Sequence, residues 1–136
     1  MSSAEPVFAV VGPGAVGGLL AWLLSRTGHE VVAVGRPATV EAIRADGIEV
    51  RSATFGDGVE RVSASTEVPS GARVIVATKA YGLDDVLPGI AAARPVEVLS
   101  VLNGVEHMTP LRAALPETAV AGGSVTVSAL RASSTV

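Results

Sequence analysis

The chain contains no cysteine, which excludes disulfides, thiolate nucleophiles and cysteine-based metal sites together. Histidine is nearly missing too: His29 and His107 are too few for a histidine-rich centre, and no metal is expected. Charge is sparse at 17% of residues, and Lys79 is the only lysine. The arginines are scattered and the net charge is -3, so there is no basic footprint for nucleic acid. In place of charge the chain carries 49% hydrophobic residues, which suits a sheet buried on both faces better than a solvated or disordered chain. Its 136 residues are enough for one domain with a core and too few for two. Lack of cysteine is compatible with a reducing compartment, and a cytoplasmic location is expected.

Val7 to Ser25 carries no charge and is long enough to mimic a membrane span. Gly12, Pro13, Gly14, Gly17 and Gly18 interrupt it, and Glu5 stands where a signal sequence would place Lys or Arg, so neither a span nor a signal is expected.

Met1 to Pro6 reads as a loose polar tail, and residues 7 to 136 as one domain. Val7-Phe8-Ala9-Val10-Val11 is an apolar run of strand length ending in glycines. Ala15 to Arg26 is rich in Leu and Ala, lacks Pro, and has Gly28 where a helix end would be capped. A second strand over Glu30 to Val34 and a short helix over Thr39 to Ala45, closed by Asp46-Gly47, complete a βαβα start and imply parallel pairing. Alternation in Ile48 to Arg51 and Val59 to Val62 around Gly56-Asp57-Gly58 predicts a surface β-hairpin. The α/β rhythm resumes with strands at Arg73 to Thr78 and Val96 to Leu102, helices near Leu83 to Ala93 and Val105 to Ala114, and a last apolar stretch from Ala119 to Val127. Ser133-Ser134-Thr135-Val136 lacks the Gly or Pro of a linker, so the domain is expected to be cut short at its C-terminal end.

The loop Gly12-Pro13-Gly14-Ala15-Val16-Gly17 follows the first strand and opens the first helix. GxGxxG is weak evidence alone, but in this context it is the dinucleotide-binding fingerprint of a Rossmann-type, doubly wound, mainly parallel sheet. Gly12 would permit the tight turn, Gly14 the approach of a pyrophosphate to the backbone, and Gly17 close packing of helix on strand, with the helix N-terminus facing the phosphates. A glycine-rich turn without a ligand is the alternative.

NAD-specific domains usually place an acidic residue at the end of the second strand to hold the ribose hydroxyls. Gly35-Arg36 stands there instead. A guanidinium suits the 2'-phosphate, so NADP(H) is expected over NAD(H), against the alternative of a solvated arginine before Pro37. Lys79 follows the strand ending at Thr78, and Asn103-Gly104 follows the one ending at Leu102. Both fall at strand carboxyl ends, where open α/β sheets bind ligands. Their alternatives are a solvated lysine and a turn or capping asparagine. His29 is read as structural at a helix end, Trp22 as core or interface, and Asp84-Asp85 as a solvated acidic helix start rather than a catalytic pair. Neither Glu106 nor His107 is assigned a role.

Taken together, these residues resemble the ketopantoate reductase (2-dehydropantoate 2-reductase) family. Gly12 to Gly18, Gly28-His29-Glu30-Val31, Arg36, Thr78-Lys79-Ala80, Leu102-Asn103-Gly104-Val105 and Gly123-Ser124-Val125-Thr126 carry the likeness, and Thr-Lys-Ala, Asn-Gly and Arg36 are its more specific part. The resemblance implies NADPH-dependent reduction of 2-dehydropantoate to pantoate on the way to pantothenate. It implies that Arg36 holds the 2'-phosphate, that Gly12, Pro13, Gly14, Ala15, Val16 and Gly17 hold the pyrophosphate, and that Lys79 and Asn103 line the nicotinamide side as accessory catalytic residues. In the family a helical second domain supplies the general acid and substrate grip; the chain is expected to lack it, and so to bind NADP(H) with little or no catalysis. The partners expected are NADP(H), a small 2-oxo acid if a second domain is supplied, and a second copy of the chain, with neither nucleic acid nor membrane. A stand-alone NADP(H)-sensing module and another Rossmann 2-oxo acid reductase remain alternatives.

Overall fold

The computed structural model describes residues 6–78, 82–101, 108–115 and 118–122. Its elements run β1 (Phe8–Val11), α1 (Ala15–Arg26), β2 (Val31–Val34), α2 (Pro37–Asp46), β3 (Ile48–Val50), β4 (Gly58–Glu60), β5 (Ser63–Ser65), β6 (Arg73–Val76), α3 (Leu83–Ala92), β7 (Glu97–Ser100), α4 (Met108–Ala114) and β8 (Ala119–Gly122). Six strands form one sheet in the order β5-β2-β1-β6-β7-β8, every neighbouring pair parallel, while β3 and β4 pair antiparallel apart from it. This is the doubly wound Rossmann-type arrangement with a hairpin insertion that the sequence predicts.

Parallel crossovers are right-handed. The chain winds from β1 outward to β2 and β5, then returns and winds the opposite way through β6, β7 and β8. The helices of the two halves therefore fall on opposite faces. One core joins Val10, Val31 and Ala33 to Ala21 and Trp22 of α1 and to Val40 and Ile43 of α2. The other joins Ala9, Val11, Val74, Val76 and Val98 to Leu83 and Ile90 of α3 and Leu111 of α4. Central β1 is covered on both faces, which is why its sequence is an unbroken apolar run.

The hairpin is more than the surface feature the alternation suggests. Ile48 and Val50 are buried in the α1 core, and the fully buried Trp22 donates its indole Nε1 to the Gly58 carbonyl at 3.0 Å. The Arg26 guanidinium stacks 4.6 Å from the Trp22 ring, and the Ser25 hydroxyl donates to Glu60 at 2.7 Å. Trp22 is thus a core residue that ties the insertion to α1.

Edge strand β5 has no counterpart in the sequence reading. Ser-Ala-Ser has neither the β-branched nor the aromatic residues that mark strands. It is held by pairing with β2 and by the Arg44 guanidinium of α2, whose Nε and Nη2 donate to the Ala64 carbonyl at 3.2 and 2.8 Å. That contact also covers part of an otherwise open sheet edge. Other boundaries shift by a residue or two. In particular α2 begins at Pro37, whose lack of an N–H costs nothing in a first turn, rather than at Thr39.

The stretch expected not to span a membrane folds as β1, the glycine loop and the 12-residue α1. No described helix is long and apolar enough to cross a membrane.

Candidate functional site

The winding reverses between β1 and β6, so the carboxyl ends of these two strands form the switch point, where an open α/β sheet has its crevice. Open α/β sheets bind their ligands at this point. The glycine loop leaves β1 directly into it. Gly12, at φ +87°, lies in the left-handed region, and its N–H donates to Val34 of β2 at 3.0 Å. The Gly14 N–H turns back to the Gly12 carbonyl at 2.8 Å, and helix α1 starts with the bond from Gly18 N–H to the Gly14 carbonyl at 2.7 Å.

The three fingerprint glycines are small for different reasons. A Cβ on Gly12 would lie 2.6 Å from the Thr78 backbone, so the loop after β6 rests on the loop after β1. A Cβ on Gly17 would run into the Gly12 carbonyl oxygen and sit 3.1 Å from Ala77 Cβ, so this glycine lets α1 close on the sheet. A Cβ on Gly14 would meet nothing among the described residues within 4 Å. Packing among the described residues therefore accounts for Gly12 and Gly17 but not for Gly14. Its open side is what a ligand needs in order to approach the backbone.

Gly14 caps α1 without a side-chain hydrogen bond, and the first turn contains no acidic residue. The amides of Ala15, Val16 and Gly17 precede the first intrahelical bond, so they and the helix dipole present a positive end to the crevice.

Pro13 is buried and packs beneath Gly35, the residue after β2. Arg36 follows as the exposed N-cap residue of α2, its carbonyl accepting from Val40 N–H at 3.0 Å. Among the described residues its guanidinium has no carboxylate partner; the ion pairs are Arg51 with Glu49 and Arg73 with Glu97. The structure thus brings the glycine loop, Gly35 and Arg36 to one edge of the sheet.

Lys79 and Asn103 lie outside the described residues, as do Ala80, Glu106, His107 and the Gly123 to Thr126 element. Their flanks are described: β6 delivers the chain to Thr78 beside Gly12, and β7 ends at Ser100 on the same side of the sheet. Asp84 and Asp85 are exposed in the first turn of α3. His29 is exposed far from the crevice, its backbone N–H bonded to Leu24 of the α1 end at 3.1 Å and its ring edge-on to Phe8 at 5.2 Å.

A groove of about 310 Å³ lies elsewhere, on the half-face over β6, β7 and β8 that no described helix covers. Phe8, Ile75, Leu99 and Ala121 line it together with Arg73 and Glu97. It is mostly apolar, away from the glycine loop, and has no part in the crevice. Among the described residues no cluster of His, Asp or Glu could hold a metal ion.

A family model described as ketopantoate reductase PanE/ApbA matches residues 8–136. The 2-dehydropantoate 2-reductase of Pyrococcus horikoshii is 34% identical over 100 residues, which is 71% of this chain and 32% of that protein. The crystal structure of a PanE/ApbA family ketopantoate reductase from Ralstonia eutropha JMP134 superposes with a TM-score of 0.81 at 36% identity, over 89% of this chain and 42% of that one. A D-mandelate dehydrogenase solved in complex with NADH shares the fold, with a TM-score of 0.80 at 24% identity over 94% of this chain and 41% of that one. The chain spans about a third of the length of the curated relatives it matches, 32% to 39%.

Proposed function

Because the chain belongs to the ketopantoate reductase PanE/ApbA family, we propose that it is an NADP(H)-binding domain serving reduction of a small 2-oxo acid, of which 2-dehydropantoate is the substrate named for its relatives. The observation that carries the reading is Gly14. It is the one fingerprint glycine that packing among the described residues does not require, and it stands at the helix N-terminus at the switch point of the sheet.

In this reading the pyrophosphate lies along Gly14, Ala15 and Val16, where free N–H groups and the α1 dipole meet its charge. Pro13 and the packed Gly12 and Gly17 fix the loop. Arg36 takes the 2'-phosphate with a guanidinium that has no carboxylate partner among the described residues, which is the reason for preferring NADP(H) to NAD(H). A bound reduced nicotinamide supplies the hydride for a ketone carbon. Lys79 and Asn103 belong at the strand ends flanking the nicotinamide side, as the accessory residues of that chemistry. Reduction of a ketone also needs a held substrate and a proton donor for the developing alkoxide, and in the family these come from a second, helical domain. The part of the reaction assigned to these 136 residues is therefore cofactor binding, with little or no turnover expected of them alone.

Titration of the purified chain with NADPH and NADH, alongside Arg36→Ala, tests the assignment. The wild type is expected to favour NADPH, and the variant to lose roughly tenfold or more in NADPH affinity, the effect of one charge-assisted contact, with NADH little changed. Equal affinity for the two cofactors in the wild type would remove Arg36 from the 2'-phosphate and return the cofactor assignment to NAD.

A further inference from the structure

The residue after β2 is small for a reason the glycine fingerprint does not supply. A Cβ on Gly35 would lie 3.2 Å from Pro13 Cδ and 3.3 Å from Pro13 Cγ, with Thr39 Cβ at 3.6 Å on the other side. Gly35 therefore sits in a narrow gap between the pyrolidine ring of the glycine loop and the first turn of α2. A side chain at this position would require the buried Pro13 to shift by a few tenths of an ångström, so glycine is the residue that fits the gap as it stands.

The same packing sets Thr39 beside Gly35, across from Pro13 of the glycine loop. Thr39 is the third residue of α2, partly buried, three positions beyond Arg36. Among the described residues its hydroxyl has neither a hydrogen-bond donor nor an acceptor, and the first turn of α2 contains no acidic side chain. A threonine at this depth usually hydrogen-bonds to nearby backbone. Thr39 thus lies three positions beyond Arg36, whose guanidinium has no carboxylate partner among the described residues, with only the bare Gly35 between Thr39 and the loop.

We propose that Thr39 is a specificity-determining residue: its hydroxyl donates to the phosphate monoester that Arg36 binds, and the Pro13–Gly35 contact holds it at that place. This rests on the NADP(H) reading above. An OH donor gains more from a charged phosphate monoester oxygen than from the neutral 2'-hydroxyl that replaces it in NADH, so Thr39 favours NADPH over NADH rather than strengthening both equally. Valine has the shape of threonine without the donor, and serine keeps the donor without the methyl.

The experiment is titration of wild type, Thr39→Val and Thr39→Ser with NADPH, NADH and 2'-phospho-ADP-ribose, with thermal unfolding of each protein. The expected result is roughly tenfold weaker NADPH and 2'-phospho-ADP-ribose binding by Thr39→Val, as for one hydrogen bond to a charged group. NADH binding and thermal midpoint should stay unchanged, with affinity restored in Thr39→Ser. An unchanged NADPH affinity in Thr39→Val, or equal weakening of NADPH and NADH, would overturn the assignment of Thr39 while leaving Arg36 in place. Failure of the wild type to bind either cofactor would overturn the underlying reading and this one with it.

Discussion

Gly17→Ala is expected to destabilise the protein by about 3 kcal/mol or more, a loss typical of a backbone forced apart in a close-packed region. The added methyl would occupy the space of the Gly12 carbonyl oxygen and press on Ala77 Cβ at 3.1 Å. Neither neighbour is the end of a flexible side chain. Gly12 is pinned by its bond to Val34 and by Thr78 above it, and Ala77 continues central strand β6 through the bond from its N–H to the Val11 carbonyl at 2.8 Å. Relief requires α1 to lift from β1, which opens the core holding Ala21 and Trp22. Urea unfolding measures the loss, and a change within about 0.5 kcal/mol would show that α1 is not seated on the sheet as described.

Gly14→Ala should behave in the opposite way. Its methyl meets no atom of the described residues within 4 Å, so stability should remain within about 1 kcal/mol, the slightly poorer cap offset by a stiffer unfolded chain. NADPH affinity should fall by about 100-fold, close to 3 kcal/mol, because the methyl holds the pyrophosphate off amides whose hydrogen bonds to it are charge-assisted. NADH should lose as much, since both cofactors share the pyrophosphate; this separates Gly14 from Arg36, where only the 2'-phosphate is at stake. Calorimetric titration of a variant shown by its melting curve to be folded is the check. Undiminished binding would place the pyrophosphate elsewhere and remove the main support for the crevice as a cofactor site.

The contrast between these glycines also marks how far the sequence could be read. The order of strands and helices was legible because β1, β2 and β6 are continuous apolar runs of strand length, as buried strands of a parallel sheet are, and because Gly28 and Gly47 stand at helix ends with φ +90° and +74°. The placement of the glycine loop followed from that order alone. Strand β5 was not legible: Ser63-Ala64-Ser65 has no strand character of its own, and Arg44 and β2 hold it in place through contacts made only in the folded chain. The hairpin was seen, but not its burial, because alternation shows that one face is apolar and not what covers it. Trp22 supplied a cue, since an indole in a core needs an acceptor, yet nothing in the letters names Gly58 as that acceptor.

Within the proposed site, Gly12, Gly14, Gly17 and Arg36 were legible from motif and position. Thr39 was not, because its place depends on Pro13 filling the space of a side chain that Gly35 lacks. That contact joins two loops distant in sequence and leaves no pattern to read. A small residue at the strand end, directly before a cation and within one turn of a hydroxyl, is the only signal that could have pointed to it.

The central claim is that the cofactor binds in the switch-point crevice through the glycine loop, and an amide-resolved NMR titration of this 136-residue chain with NADPH tests it most directly. The account predicts that the largest shifts fall on the amides of Gly14, Ala15, Val16 and Gly17 and on Gly35 and Arg36, with the second group responding much less to NADH. Shifts centred instead on Ile75, Leu99 and Ala121, around the apolar groove on the open half of the sheet, would contradict it.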